Sequence, residues 1–256
     1  MKTAEFCWNK CRNAYSAGHA GVEAPGEAHR MSLNSPTEIV IFALCAIVAI
    51  TFHEAAHGFV ALHFGDPTAK NAGRVTLNPI KHIDLFGTII LPFLLYVSAG
   101  FIFGYAKPVP VNYSALKNPR RDMIWVAAAG PAMNVMLAVA SAILITGIGV
   151  LDGENAALIG NALLLSIELN LILAIFNMLP LPPLDGSKVI AAFLPDSLMR
   201  PYLRFGRYGM VVLILLVFVA PLFAARAGIR FDIFGSLVIG PAETLTRTLL
   251  SLIGRG

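Results

Sequence analysis

The sequence predicts an all-α fold: a polytopic membrane helix bundle with a short re-entrant or β element after the first core helix. Three observations carry that expectation. Of the 256 residues, 57% are hydrophobic and only 13% charged, with a mean hydropathy of +0.72; a soluble domain carries about a quarter charged residues. The apolar residues fall in long blocks separated by short basic loops, the pattern of repeated membrane spans. Clusters of Pro, Gly and Asn punctuate the blocks and break helices between them.

Residues 1–30 are polar, rich in Gly, Ala and Glu, and contain no apolar core of signal-peptide length. They read as a poorly ordered tail. Met31 follows directly, and residues 31–256 read as one domain with about five to six apolar helices. The first apolar block, 37–64, opens at Ser35-Pro36, a good helix start. The loop "GDPTAKNAGRVTLNPIKHID" (65–84) is rich in turn residues, and its "RVTL" (74–77) reads as a short strand. Segment 85–104 is apolar but interrupted by Pro92 and several glycines. Two clean spans follow, 123–150 and 157–182, joined by "DGEN", which has acids and no Lys or Arg. "PLPPLDGSK" then breaks the helix, and a basic loop leads to spans near 208–225 and 233–253. No internal repeat or low-complexity tract appears.

The net charge of +4 resides in loops rather than in a stripe interleaved with aromatics. It therefore orients the chain in a lipid bilayer and does not point to nucleic acid. Cys7 and Cys11 could pair or bind metal, but two thiols with no nearby partner read as part of an ordinary tail, and Cys45 reads as a small residue in an apolar run.

The anomaly is "IVAITFHEAAHGFVALHFGD" (47–66), a run this apolar with His53, Glu54 and His57 in its middle. Polar groups in a lipid-embedded helix have no water to satisfy them and need partners. On a helix, His53 and His57 lie about 40° apart on one face, so two ring nitrogens can converge on one Zn²⁺. Glu54, about 100° round from His53, stands near such a metal but free of it. Zinc lowers the pKa of its water toward ~7, and a carboxylate so placed takes the proton as that water attacks a carbonyl. Ala55, Ala56 and Gly58 leave room for a substrate backbone.

Three residues compete for the third ligand. His63 has metzincin-like spacing, but Val60 stands where a helix-breaking Gly would be needed. An unbroken helix carries His63 about 240° from His57, so it is rejected. Glu168 is an acid inside the 157–182 span, where a buried carboxylate is seldom idle. Asp185 lies in "NMLPLPPLDG" (177–186), where prolines leave backbone groups unpaired, as tolerated at membrane depth only beside protein or a watery cavity. Composition and spacing leave Glu168 and Asp185 both open.

The HExxH of the first core helix, followed by Asn177-x-x-Pro180-x-x-x-x-Asp185-Gly186, resembles the site-2 protease family of intramembrane zinc metalloproteases. "AGPAMN" (129–134) is similar to that family's Gly-Pro-x-x-Asn element, and "GRVTLNPIKHID" and "FGYAKPVPVN" resemble its compact bacterial branch without PDZ or CBS domains. The resemblance implies one zinc per chain held by His53, His57 and Asp185, with Glu54 as catalytic base and with Asn177 and Asn134 holding the substrate strand. It implies a transmembrane protein as substrate, cleaved within its own helix.

If His57 and Asp185 meet at one metal, an even number of full spans separates them. The spans 123–150 and 157–182 supply two, so 85–104 enters and leaves on one side. Its flanking loops carry Lys70, Arg74 and Lys81 on one side and Lys107, Lys117, Arg120 and Arg121 on the other. Both read as cytoplasmic by the positive-inside rule, which predicts a multi-pass cell-membrane protein with its active site toward the cytoplasm. The alternative from another class is an ion or proton transporter using the same His, Glu and Asp.

Overall fold

The computed structural model describes residues 36–90, 94, 104, 106–148, 154–227 and 232–253; the expected tail, 1–30, lies outside them. Among the described residues, three helices are long and apolar enough to cross a membrane. The first, α1 (Pro36–His63), has 28 residues, about 42 Å at 1.5 Å per residue against a hydrocarbon core of ~30 Å. Its buried residues are mostly small or polar: Ala49, Thr51, His53, Ala55, Ala56, His57, Gly58 and Ala61. Its large apolar side chains, Val40, Leu44 and Val48, point outward. Small residues inside and large ones outside is how helices pack in lipid, where burying apolar surface brings no gain and close backbone approach does.

Gly65 ends α1 at φ +104°, a conformation that favours glycine. Asp66 N then returns to Ala61 O at 2.9 Å and Gly65 N to Leu62 O at 3.1 Å, the paired bonds of a Schellman cap. A one-turn helix α2 (Thr68–Asn71) and a 3₁₀ turn (Pro79–Lys81) follow. After a further 3₁₀ turn (Tyr113–Ala115), α3 (Pro119–Ile148) and α4 (Glu154–Asn177) pair closely. Their core is Ala138, Ala142, Ile167 and Leu171, onto which Ala242 of the last helix packs. The chain then makes a proline-rich turn and enters α5 (Asp185–Phe193) and the amphipathic α6 (Asp196–Arg204).

The loops that precede and follow segment 85–104 are tied together at one end of the bundle. Lys107 N donates to His82 O at 3.0 Å, Arg74 Nη2 to Lys107 O at 2.6 Å, Asn112 N to Asp66 Oδ2 at 2.7 Å and Lys117 N to Phe64 O at 3.0 Å. Asp66 is fully buried and also accepts from the backbone and hydroxyl of Thr68. This end holds the C-terminus of α1, the N-terminus of α3 and the C-terminus of α4.

Two expectations are corrected. No strand forms at 74–77, nor anywhere among the described residues. The segment packed beside it, 106–112, contains Pro108 and Pro110, which have no N–H to give a ladder. The Arg74 side chain and the Thr76 carbonyl, which accepts from His82 Nε2 at 2.9 Å, are engaged in loop contacts instead. A re-entrant 85–104 is likewise not supported: Leu85–Ile90 form a π-helical turn, and most of the remainder lies outside the described residues. The segments expected as spans near 208–225 and 233–253 are helical: α7 (Gly206–Ile214) runs through a π turn (Leu215–Val219) into α8 (Ala220–Arg226), and a π turn (Gly235–Ile239) leads into α9 (Gly240–Ile253).

Candidate metal centre

The proline-rich turn closes the site. Leu181 N bonds Leu179 O at 2.8 Å and Leu184 N bonds Leu181 O at 2.9 Å, so the chain reverses tightly after α4 and sets Asp185 in the first turn of α5, beside α1. Gly186 follows because a Cβ there would strike the Met178 carbonyl.

His53, His57 and Asp185 are all buried, and one donor atom from each falls within 4.8 Å of the others. His53 Nδ1–H donates to Asn134 Oδ1 at 2.6 Å, and His57 Nδ1–H donates to Val126 O at 2.7 Å. A neutral imidazole has one N–H, so each ring turns its bare Nε2 lone pair inward. There the two Nε2 atoms lie 3.1 Å apart, and 3.2 and 3.1 Å from Asp185 Oδ2. Three lone pairs facing one another repel; a cation between them reverses the sign. The spacing also fits, since zinc with bonds of about 2.0–2.1 Å to nitrogen and oxygen holds tetrahedral ligands about 3.3 Å apart.

Two further residues shape this triangle. Gly130 of α3 lies so close that a Cβ would stand 2.5 Å from both Nε2 atoms; its hydrogen leaves space where a side chain would fill the centre. Lys188 Nζ donates to Asp185 Oδ1 at 2.8 Å, which leaves Oδ2 alone to face the imidazoles. Burial by itself would raise the Asp185 pKa, and the Lys188 ammonium bonded to Oδ1 acts against burial in favour of the carboxylate. Lys188 moves the opposite way: burial would lower it, and the Asp185 carboxylate more than compensates.

The triangle forms one wall of a cleft of about 270 Å³ that Glu54, Val109, Tyr113 and Asn177 also line. Glu54 Oε2 accepts from Val109 N at 2.7 Å. Asn177, at the end of α4, donates to Leu173 O at 3.0 Å and faces the cleft. Asn134 does not line it. It is fully buried beneath His53, and its Nδ2 donates to Asn170 Oδ1 at 2.8 Å. Its side-chain oxygen is engaged with the His53 ring. Glu168 and His63 stand outside the donor group.

Sequence reasoning missed Gly130, Asn170 and Lys188. Gly130 was visible inside "AGPAMN", and Asn170 met the same criterion as His53, a polar group in an apolar span. Nothing in the spacing singled out Lys188.

The model of peptidase family M50 matches residues 41–155. YwhC of Bacillus subtilis strain 168, named as a zinc metalloprotease, is 43% identical over 180 residues, 69% of this chain and 78% of that protein. Rip2 of Mycobacterium tuberculosis H37Rv, with the same kind of name, is 30% identical over 175 residues, 68% of this chain and 65% of its own length. Rip2 of Mycolicibacterium smegmatis is 28% identical over 174 residues, 67% of this chain and 64% of its own length. No solved structure matches. Both the matched span, which holds His53, Glu54 and His57, and the identity with YwhC over most of its length lead to one conclusion: this chain belongs to peptidase family M50, the site-2 protease family of zinc-dependent metalloendopeptidases.

Proposed function

We propose that this protein is a multi-pass intramembrane protease that cuts the transmembrane helix of a membrane-protein substrate near the cytoplasmic face, with His53, His57 and Asp185 as zinc ligands and Glu54 as general base. The observation that carries the reading is the convergence of three buried lone pairs, with their Nδ1 protons spent elsewhere, on the wall of a cleft that Glu54 shares. Zinc, when bound there, supplies the Lewis acidity that makes a water nucleophilic near neutral pH.

The protein's own groups do the rest. Val109 N–H holds one oxygen of Glu54 and leaves the other to take the proton of the attacking water. As the water oxygen bonds to the carbonyl carbon and the C–N bond breaks, Glu54 passes that proton to the leaving amine. A helical substrate must unwind first, because its carbonyls are hydrogen-bonded within the helix. Asn177, on the rim of the cleft, is suited to hold the unwound strand. The basic residues of 65–84 and 106–121 gather at the same end as the site, which supports a cytoplasmic orientation of that end by the positive-inside rule.

The test is purified protein in liposomes with a transmembrane reporter. Glu54→Gln keeps the size of the side chain and loses its basicity, so turnover should fall by roughly 10²-fold or more while zinc stays bound. Near-normal cleavage by Glu54→Gln, or loss of its zinc, would overturn the mechanism.

A further inference from the structure

We propose that Asn170 is a positioning residue for the metal centre: it fixes which end of the Asn134 carboxamide faces His53, and thereby the tautomer of that ring. The inference rests on the zinc reading above. A carboxamide has two chemically opposite ends of almost the same shape. Facing His53 with Oδ1, as observed, Asn134 requires the proton on Nδ1 and leaves Nε2 bare for a metal. Facing it with Nδ2, the same residue would require Nδ1 to accept. The proton would then sit on Nε2 and point at the metal position.

What decides between the two lies on the far side of Asn134. Its Nδ2 donates to Asn170 Oδ1 at 2.8 Å and, more weakly, to Ala49 O at 3.3 Å. Turning the amide over would set its oxygen against both acceptors. Asn170 is held in its own sense by donating Nδ2 to Ser166 O at 2.8 Å, with Ser166 Oγ at 3.4 Å. A backbone carbonyl can only accept, so the direction of every bond from Ser166 through Asn170 and Asn134 to His53 is set at that carbonyl, with the longer Ala49 contact acting in the same sense. Asn134 is 0% and Asn170 1% exposed, so no solvent stands in for a missing partner, and a reversed amide would leave buried groups unsatisfied. Outer partners of metal-bound histidines commonly act in this way; here the fixing residue is one step further out.

The test is a double-mutant cycle on zinc affinity, measured by competition with a chromophoric chelator, with ¹⁵N NMR of histidine-labelled metal-free protein as the second readout. Asn170→Leu should weaken zinc by about 10-fold or more and move His53 from the Nδ1–H toward the Nε2–H form. In Asn134→Asp the carboxylate accepts from Nδ1–H whichever way it turns and sets its second oxygen against Asn170 Oδ1, so adding Asn170→Leu should cost no further zinc affinity and relieve that contact. An equal loss in both backgrounds would assign Asn170 to packing alone and overturn the proposal, as would unchanged affinity in Asn170→Leu. His53→Ala is the separate control: zinc retained there at full affinity would bring down the metal-centre reading itself, and this inference with it.

Discussion

The carboxylate of Asp185 meets the imidazole of His57 at 3.1 Å, and a neutral His57 has no proton to place between them. Its single N–H is given to Val126 O at 2.7 Å, so the contact sets a lone pair against a negative oxygen. Such a contact is stable when a cation binds both. Binding also removes the repulsion among all three donors at once, which couples the metal to the packing of α1, α3 and α5.

His53→Ala, His57→Ala and Asp185→Ala should therefore each lose bound zinc, and Glu168→Ala should keep it. Metal analysis of the purified variants decides the matter. Full occupancy in Asp185→Ala together with loss in Glu168→Ala would move the third ligand to Glu168.

Gly130→Ala tests the close approach of α3. Its methyl carbon would stand 2.5 Å from both Nε2 atoms, so either the helices part or the rings turn. Overpacking of this kind costs about 1–3 kcal/mol, roughly 5- to 150-fold in zinc affinity if it falls on the bound state. Titration calorimetry would read it, and wild-type affinity would show that the rings give way freely.

Cysteines introduced at Lys70 and at Ser114 report topology. Both positions are exposed in loops that hydrogen-bond to each other. Both should react with an impermeant thiol reagent only from the cytoplasmic side. Labelling of either from the outside alone would reverse the orientation proposed for the site.

Asp66 links the loops in a pH-dependent way. Burial would raise its pKa, but hydrogen bonds from Thr68 and Asn112 outweigh burial and hold it below the usual carboxylate range. A group depressed in the folded state stabilises that state above its unfolded pKa and loses the contribution as pH falls through the folded one. Thermal unfolding in detergent should therefore show Asp66→Ala less stable at pH 7, by about 1–3 kcal/mol for the donors left unpaired. The gap to wild type should narrow below the carboxylate range, and a constant gap across pH would refute the linkage.

The sequence by itself determined the parts of this protein that depend on neighbours along the chain. His53, Glu54 and His57 were legible because a helix brings positions four apart onto one face. The three long spans were legible because each is apolar along its own length. Where the competing signals were local and weak, the reading failed. "RVTL" has strand-forming residues, but Pro108 and Pro110, more than 30 positions on, deny it a ladder. Tertiary structure alone brings Asp185 rather than Glu168 beside the two histidines, because only the turn through Pro180, Pro182 and Pro183 shows which acid returns to α1. It alone moved Asn134 from the cleft to the back of His53, and it alone exposed Gly130 and Asn170. These roles depend on which face of α3 and α4 meets α1, and on the direction of hydrogen bonds between helices, which no spacing along a single helix records.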